Sequence, residues 1–282
     1  MTPRRSLLFA PADRTEVHAK ALAARPDMLC LDLEDAVAPA NKSAGRAAGV
    51  AFLSRARAGD RTERVLRINA LRTQEGLRDM DAVLSTAPEA GVLFLPKVRD
   101  AGELRLAHDL LQEAAPALRL GVLIETVEGL EDAASILRAS DRIAFAMFGG
   151  ADLAADLGVA LAYEPLLYAR SRLAHAARTA GVDLLDVPCL AFRDTEQIAT
   201  EARQARALGY TGKAVLHPAG LEAVHTAFSP TPEEIAHAER VMEAYRASPN
   251  GLATIDGKLV ERPVIRAMER IVALKVRLEQ AL

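Results

Sequence analysis

Eight times along this chain of 282 residues, a short and nearly continuous apolar run gives way to a segment with helical spacing. The runs occupy residues 6–10, 27–33, 64–68, 91–95, 120–124, 143–148, 182–187 and 212–216. Strands covered on both faces read this way, whereas half-exposed strands alternate apolar and polar residues. Parallel strands need a crossover between them, and a helix supplies it. Eight such units in one chain predict an α/β fold of the (β/α)8 TIM-barrel type. The competing fold, an open doubly wound sheet, carries a glycine-rich phosphate turn after its first strand. Here that turn is Pro11-Ala12-Asp13, without glycine.

The intervening segments carry local signals of their own. Asp13 is a candidate N-cap for a helix over 13–24, and Gly209 a C-cap for one over 194–208. The barrel is expected to occupy residues 1–228. Residues 229–282 are then a C-terminal helix–loop–helix extension, acting as a lid or an oligomer contact. Its parts are a helix over 232–246, a loop or hairpin over 248–262 turning at Asp256-Gly257, and a last helix from Pro263.

Composition excludes several classes. A formal net charge of -3 gives no electrostatic footprint for nucleic acid. Trp is absent and aromatics are 4%, which argues against base-stacking platforms. Cys30 and Cys189 lie inside separate apolar runs and read as reduced, buried thiols suited to the cytoplasm. Residues 1–10 lack a signal-peptide core, and no apolar run is long enough to span a membrane.

In a barrel of this kind chemistry gathers at the C-terminal ends of the strands. The polar residues there are Asp32, Glu34, Asp35, Arg67, Asn69, Lys97, Glu125, Asp152, Asp186 and His217. So many acids facing one another repel, and a divalent cation with an arginine would relieve that. The stretch from Leu120 to Asp152 is strand, helix, strand, with a carboxylate after each strand: Glu125 and Asp152. Two carboxylates converging on one rim suit Mg²⁺, which fills its other positions with water and substrate oxygens. The structural alternatives are Asp152 as a helix cap and Glu125 paired with Arg67. Arg67 either grips a substrate carboxylate or thioester oxygen, or pairs with Glu34 or Asp35. Lys97, among acids, reads as an electrostatic lysine rather than a Schiff-base one. His217 stands alone, and the remaining histidines have no zinc spacing.

The strings RRSLLFAPADR, CLDLEDAVAPANK, VLRINAL, LPKV, IETVEGL, FGGADLAADLG, YARSRL, LGYTGKAVLHP and DGKLVERPVI occur in order along nearly the whole chain. With these strings the chain resembles the citrate lyase β-subunit and malyl-CoA lyase family, within the HpcH/HpaI aldolase superfamily. The resemblance implies a Mg²⁺-dependent carbon–carbon lyase acting on acyl-CoA or acyl-carrier-protein thioesters. It implies Glu125 and Asp152 as metal ligands and Arg67 as the substrate-binding and catalytic arginine. Phe9, Arg14 and Lys20 are implied as coenzyme A contacts, with Glu34 and Asp35 lining the metal and water shell. It further implies a homo-oligomer, trimer or hexamer, whose C-terminal segment closes over a neighbour's site. The sequence departs from the family in two places. Pro11-Ala12 replaces Pro-Gly, and Glu261 replaces the aspartate implied as acid/base, adding a methylene and about 1 Å of reach. A keto-acid aldolase that does not use CoA, and a weakly catalytic acyl-CoA-binding subunit, are the alternatives.

Overall fold

The computed structural model describes residues 3–248, 253–255 and 258–280. Among them, β1 (Ser6–Pro11), β2 (Met28–Asp32), β3 (Glu63–Arg67), β4 (Val92–Leu95), β5 (Arg119–Ile124), β6 (Ile143–Phe148), β7 (Asp183–Asp186) and β8 (Gly212–Val215) form a closed parallel barrel in sequence order. Closure is made by β1 on β8, with Leu7 beside Ala214 and Leu8 beside Val215. The expected strands are all present, their ends shifted by a residue or so.

The strand period of two divides the apolar side chains between two cores. Leu7, Met28, Val65, Phe94, Phe145 and Leu185 fill the barrel. Leu8, Leu29, Leu31, Leu66 and Leu93 face the helices. Each such burial contributes about 1.5–3 kcal/mol. Inside the barrel the Phe94 and Phe145 rings meet with their centroids 5.1 Å apart. A Cβ at Gly121 would lie 2.6 Å from the Phe145 ring, so the bulk of Phe145 requires a glycine across from it. Between Leu120 and Gly121 the β5–β6 register shifts, so that Leu120 faces Ile143 but Gly121 faces Phe145. The shift brings Gly149 beside the end of β5, where its N–H donates to the Ile124 carbonyl at 2.9 Å.

The crossovers are α1 (Thr15–Ala23), α2 (Lys42–Leu53), α3 (Gln74–Thr86), α4 (Ala101–Ala114), α5 (Val127–Glu131) with α6 (Ala133–Ile136), α7 (Gly150–Leu157) with α8 (Leu167–Ala180), and α9 (Thr195–Ala207). α10 (Leu221–Phe228) follows β8. The single helix expected after β5 is broken at Asp132, whose carboxylate leaves the helix pattern to accept the Ala101 N–H at 3.1 Å. Asp13 is not an N-cap. It accepts a hydrogen bond from the Asn41 amide at 2.8 Å, and Arg14 occupies the cap position of α1.

Beyond the barrel, α11 (Pro232–Ala247) opens on a capping box from Thr231 and Glu234. β9 (Ala253–Ile255) and β10 (Lys258–Val260) pair antiparallel. Asp256 and Gly257, the expected turn, lie outside the described residues. α12 (Arg262–Glu279) packs on α11 through Val241, Val260 and Ile265 and a Lys275–Glu239 pair at 2.9 Å. Its end returns to the lower rim of the barrel, where Arg277 lies 3.7 Å from Asp183 at the start of β7. No described helix is long and apolar enough to cross a membrane.

Candidate active site

Asp32 and Arg67 are register partners on β2 and β3, pointing into the mouth from adjacent strands. Their side chains therefore meet as a fork. Arg67 Nε and Nη2 donate to the two Asp32 oxygens at 2.7 and 2.6 Å. The same carboxylate accepts the backbone N–H groups of Glu34 and Ala36. Asp32 thus fixes the arginine and the β2–α2 loop together. The third nitrogen of Arg67, Nη1, lies 3.1 Å from Glu34 Oε2, and the guanidinium sits over the Phe9 ring at 5.1 Å. Of the two acids expected as structural partners of Arg67, Glu34 pairs with it. Despite burial, Asp32 and Glu34 hold the guanidinium proton more firmly than usual.

The loop after β2 has a second anchor. Lys42, in α2, donates to the carbonyls of Leu33 and Glu34 at 2.6 Å each and to Asn69 Oδ1 at 2.8 Å. Asn69 in turn donates through its amide and its backbone to Asp79, which Arg46 also grips. Asn69 is a support here rather than a mouth residue. Asp32, Lys42 and Asp79 carry this scaffold and were not singled out as such from the sequence. The legible signal is the acid cluster at the end of β2, where Asp32 closes the strand and Glu34 lies in the loop beyond it.

Glu125 follows β5 and is 2% exposed. Its Oε1 accepts the Lys97 backbone N–H at 2.8 Å, not a hydrogen bond from Arg67 as the structural alternative had it. Burial pushes its carboxyl well above the ordinary glutamate range, and the charges of Glu34 and Asp152 push it further. Asp152 sits exposed in the first turn of α7. It is not the helix cap; Gly149 holds that position. Gly149 is also what leaves room for Glu125. A Cβ there would stand 2.3 Å from Glu125 Cβ and 2.8 Å from its Oε2. Gly149→Ala is therefore expected to cost about 1–3 kcal/mol of stability by overpacking. It is also expected to turn Oε2 away from the mouth, lowering both cation affinity and turnover, as chemical denaturation, calorimetry and kinetics would show.

This donor set is all oxygen, which fits a hard cation rather than zinc. Glu125 Oε2 and the Asp152 carboxylate are the groups that would hold it. Among the described residues no set of three or more His, Cys, Asp or Glu side chains meets as a ligand cluster. Two carboxylates leave positions for water and substrate, which is how Mg²⁺ is bound.

The other expected residues are more dispersed. Asp35 is exposed and lies 3.6 Å from Lys97 Nζ. Arg14 stands exposed at the N-cap position of α1 without a side-chain capping hydrogen bond and pairs with Glu16 at 3.3 Å, and Lys20 is exposed in the last turn of α1. Glu261 is exposed at the start of α12, without a capping hydrogen bond. His217 accepts the Ala219 N–H at 3.1 Å and lies beside Phe192, a structural role.

Asp186 does not face the mouth. It points to the helix layer, beside its register partner Lys213, which is fully buried. Lys213 Nζ lies 2.8 Å from Asp186 and 3.0 Å from Glu201, while Arg170 of α8 lies 3.2 Å from Asp186. The inward position on β7 belongs to Leu185.

Residues 5–218 match the family described as HpcH/HpaI aldolase/citrate lyase. The chain is 34% identical to a citrate lyase subunit beta-like protein of Deinococcus radiodurans over 93% of each chain. It is 35% identical to a (3S)-malyl-CoA thioesterase of Cereibacter sphaeroides, over 92% of this chain and 90% of the relative. Among solved structures it resembles the CitE protein of Mycobacterium tuberculosis in complex with magnesium, acetoacetate and coenzyme A. There the TM-score is 0.80 and the identity 34%, covering 96% of this chain and 97% of the other.

Proposed function

The chain belongs to the HpcH/HpaI aldolase/citrate lyase family, and on that footing we propose that it is a Mg²⁺-dependent carbon–carbon lyase. Its substrate is a 3-hydroxyacyl-CoA thioester such as citryl-, malyl- or citramalyl-CoA, cleaved to, or formed from, an acyl-CoA and a 2-keto acid. The observation that carries this reading is Glu125: a buried carboxylate with one oxygen tied to a backbone N–H and the other left open beside Gly149. A buried acid crowded by other carboxylates is costly, and a shared cation offsets that cost.

Held by Glu125 and Asp152, Mg²⁺ would supply Lewis-acid stabilisation of oxygen charge on the keto-acid half of the substrate. The protein does the rest. Arg67, held in one orientation by Asp32, binds substrate oxygen and stabilises the enolate charge that develops on the acyl-CoA half. In cleavage the substrate hydroxyl loses its proton and its oxygen becomes the keto oxygen. The carbon–carbon bond breaks, and its electron pair leaves with the thioester as an enolate. The carboxylate that takes the hydroxyl proton then delivers it, now as the acid, to the enolate carbon. We assign that acid to Glu261 of a neighbouring copy, with Asp35 in the water shell at the mouth.

Phe9, Arg14 and Lys20 hold coenzyme A along β1 and α1. The stacking of Arg67 over Phe9 supports a path that reaches the reacting centre. Exposed apolar residues on the rim loops, Leu161, Leu190, Phe192 and Leu216, support a covered mouth in a homo-oligomer, trimer or hexamer. We read residues 1–228 as the catalytic barrel and 229–282 as the segment that closes a neighbour's mouth. The two cysteines are free and buried, which supports a cytoplasmic setting.

The test is a cleavage assay on a panel of 3-hydroxyacyl-CoA esters, detecting both the released keto acid and free CoA. Keto-acid release that stops with EDTA and returns with Mg²⁺ is expected. Free CoA without keto acid would instead identify a thioesterase, and turnover of free hydroxy acids an aldolase that does not use CoA.

A further inference from the structure

Lys97 takes no part in the chemistry above, yet its geometry is unusual. Its backbone has φ +51°, in the left-handed region that lysine seldom adopts. With that turn its N–H reaches Glu125 Oε1 at 2.8 Å while its ammonium reaches Glu34 Oε1 at 2.9 Å and Asp35 at 3.6 Å. One residue touches three acids of the mouth. Glu34 is 6% exposed, and its other oxygen lies 3.1 Å from Arg67 Nη1. A third carboxylate therefore lies close enough to Glu125 to raise its proton affinity, and both of its oxygens face cations of the protein.

We propose that Lys97 withholds Glu34 from the cation held at Glu125 and Asp152, and thereby sets the preference of the site for Mg²⁺ over Ca²⁺. This rests on the reading that Glu125 and Asp152 bind a divalent cation. Mg²⁺ keeps an octahedral shell with one or two carboxylates and several waters. Ca²⁺ takes six to eight oxygens in a looser shell and gains from further carboxylates and from bidentate ones. Lys97 restricts both. Its N–H occupies Oε1 of Glu125 and leaves Oε2 for the ion, and its ammonium removes Glu34 from the donor set. Without that ammonium, Glu34 Oε1 stands as a third buried carboxylate oxygen at the same mouth, while Oε2 stays beside Arg67.

The experiment is calorimetric titration of Mg²⁺ and of Ca²⁺, each alone, into the metal-free full chain. The proteins are wild type, Lys97→Asn, Lys97→Arg, Glu34→Gln and the double variant Lys97→Asn with Glu34→Gln. Asn tolerates the left-handed backbone and lacks the charge. Lys97→Asn should shift the ratio of Mg²⁺ to Ca²⁺ affinity toward Ca²⁺ by about tenfold or more. Lys97→Arg should hold the wild-type ratio, and adding Glu34→Gln to Lys97→Asn should restore it. Glu34→Gln alone should leave the ratio within about twofold, because Glu34 is already withheld. An unchanged ratio in Lys97→Asn, a shift that survives in the double variant, or a fall in relative Ca²⁺ affinity in Glu34→Gln would each overturn the proposal. Wild-type protein that binds neither ion would instead remove the cation site itself, and the role of Lys97 with it.

Discussion

Replacing Glu125 by Gln is expected to raise the melting temperature of the metal-free protein while lowering turnover by on the order of 10³-fold or more. The two effects have one cause. Burial and the neighbouring charges of Glu34 and Asp152 lift the Glu125 carboxyl well above the ordinary glutamate range. The folded chain thus holds that proton more tightly than the unfolded chain. The sign follows from linkage: stability contributed by this group is present at low pH and is lost as pH climbs from the unfolded value through the raised one. Glutamine is uncharged throughout, so its melting curve should lack that decline. Thermal melts in EDTA across about pH 5 to 8 read the effect directly. Steady-state kinetics with excess Mg²⁺ read the other. Wild-type kinetics in the variant, or a variant no more stable than wild type at the alkaline end, would contradict this account of Glu125.

Asp186→Ala is expected to do the opposite: to destabilise the fold by about 3–5 kcal/mol while leaving the kcat/KM of the folded protein nearly unchanged. Asp186 is 1% exposed and lies between Lys213, at 2.8 Å, and Arg170, at 3.2 Å. Lys213 is buried completely, and its remaining partners are Glu201 at 3.0 Å and the Val187 carbonyl at 2.6 Å. Removing Asp186 leaves two buried cations facing one acid. Arg170 also stacks on Phe148 at 4.7 Å, so the strain spreads toward β6 but stays outside the mouth. Urea denaturation gives the stability change, and assay at low temperature, where the variant is folded, gives the activity. Wild-type stability with a large loss of activity would return Asp186 to the mouth.

Much of the fold was legible because a barrel strand is covered on both faces, so that each reads as one apolar run. Which way each polar residue at a strand end points was less legible. Leu184 and Leu185 are both apolar, so parity alone could not say that Leu185 fills the barrel and Asp186 faces the helices. Lys213 sits between Gly212 and Ala214, and nothing local announces a buried ammonium. Its reason is the register that sets it beside Asp186. Glu125 and Asp152 were readable as strand-end acids. That Gly149 stands against Glu125 depends on the register shift between β5 and β6 at Gly121, which no spacing encodes. Arg67 was found from its place in β3, whereas its orientation by Asp32 needed the cross-strand pairing. The grip of Lys97 on three acids follows from a positive φ that a lysine in sequence gives no hint of.

The most direct measurement is anomalous diffraction from a crystal of the full chain soaked in Mn²⁺ as a stand-in for Mg²⁺. A single manganese peak in each barrel mouth is expected, within about 2.2 Å of both Glu125 Oε2 and an Asp152 carboxylate oxygen. A mouth with no peak, or a peak that only one of those two carboxylates reaches, would contradict the shared-cation site from which the lyase chemistry is derived.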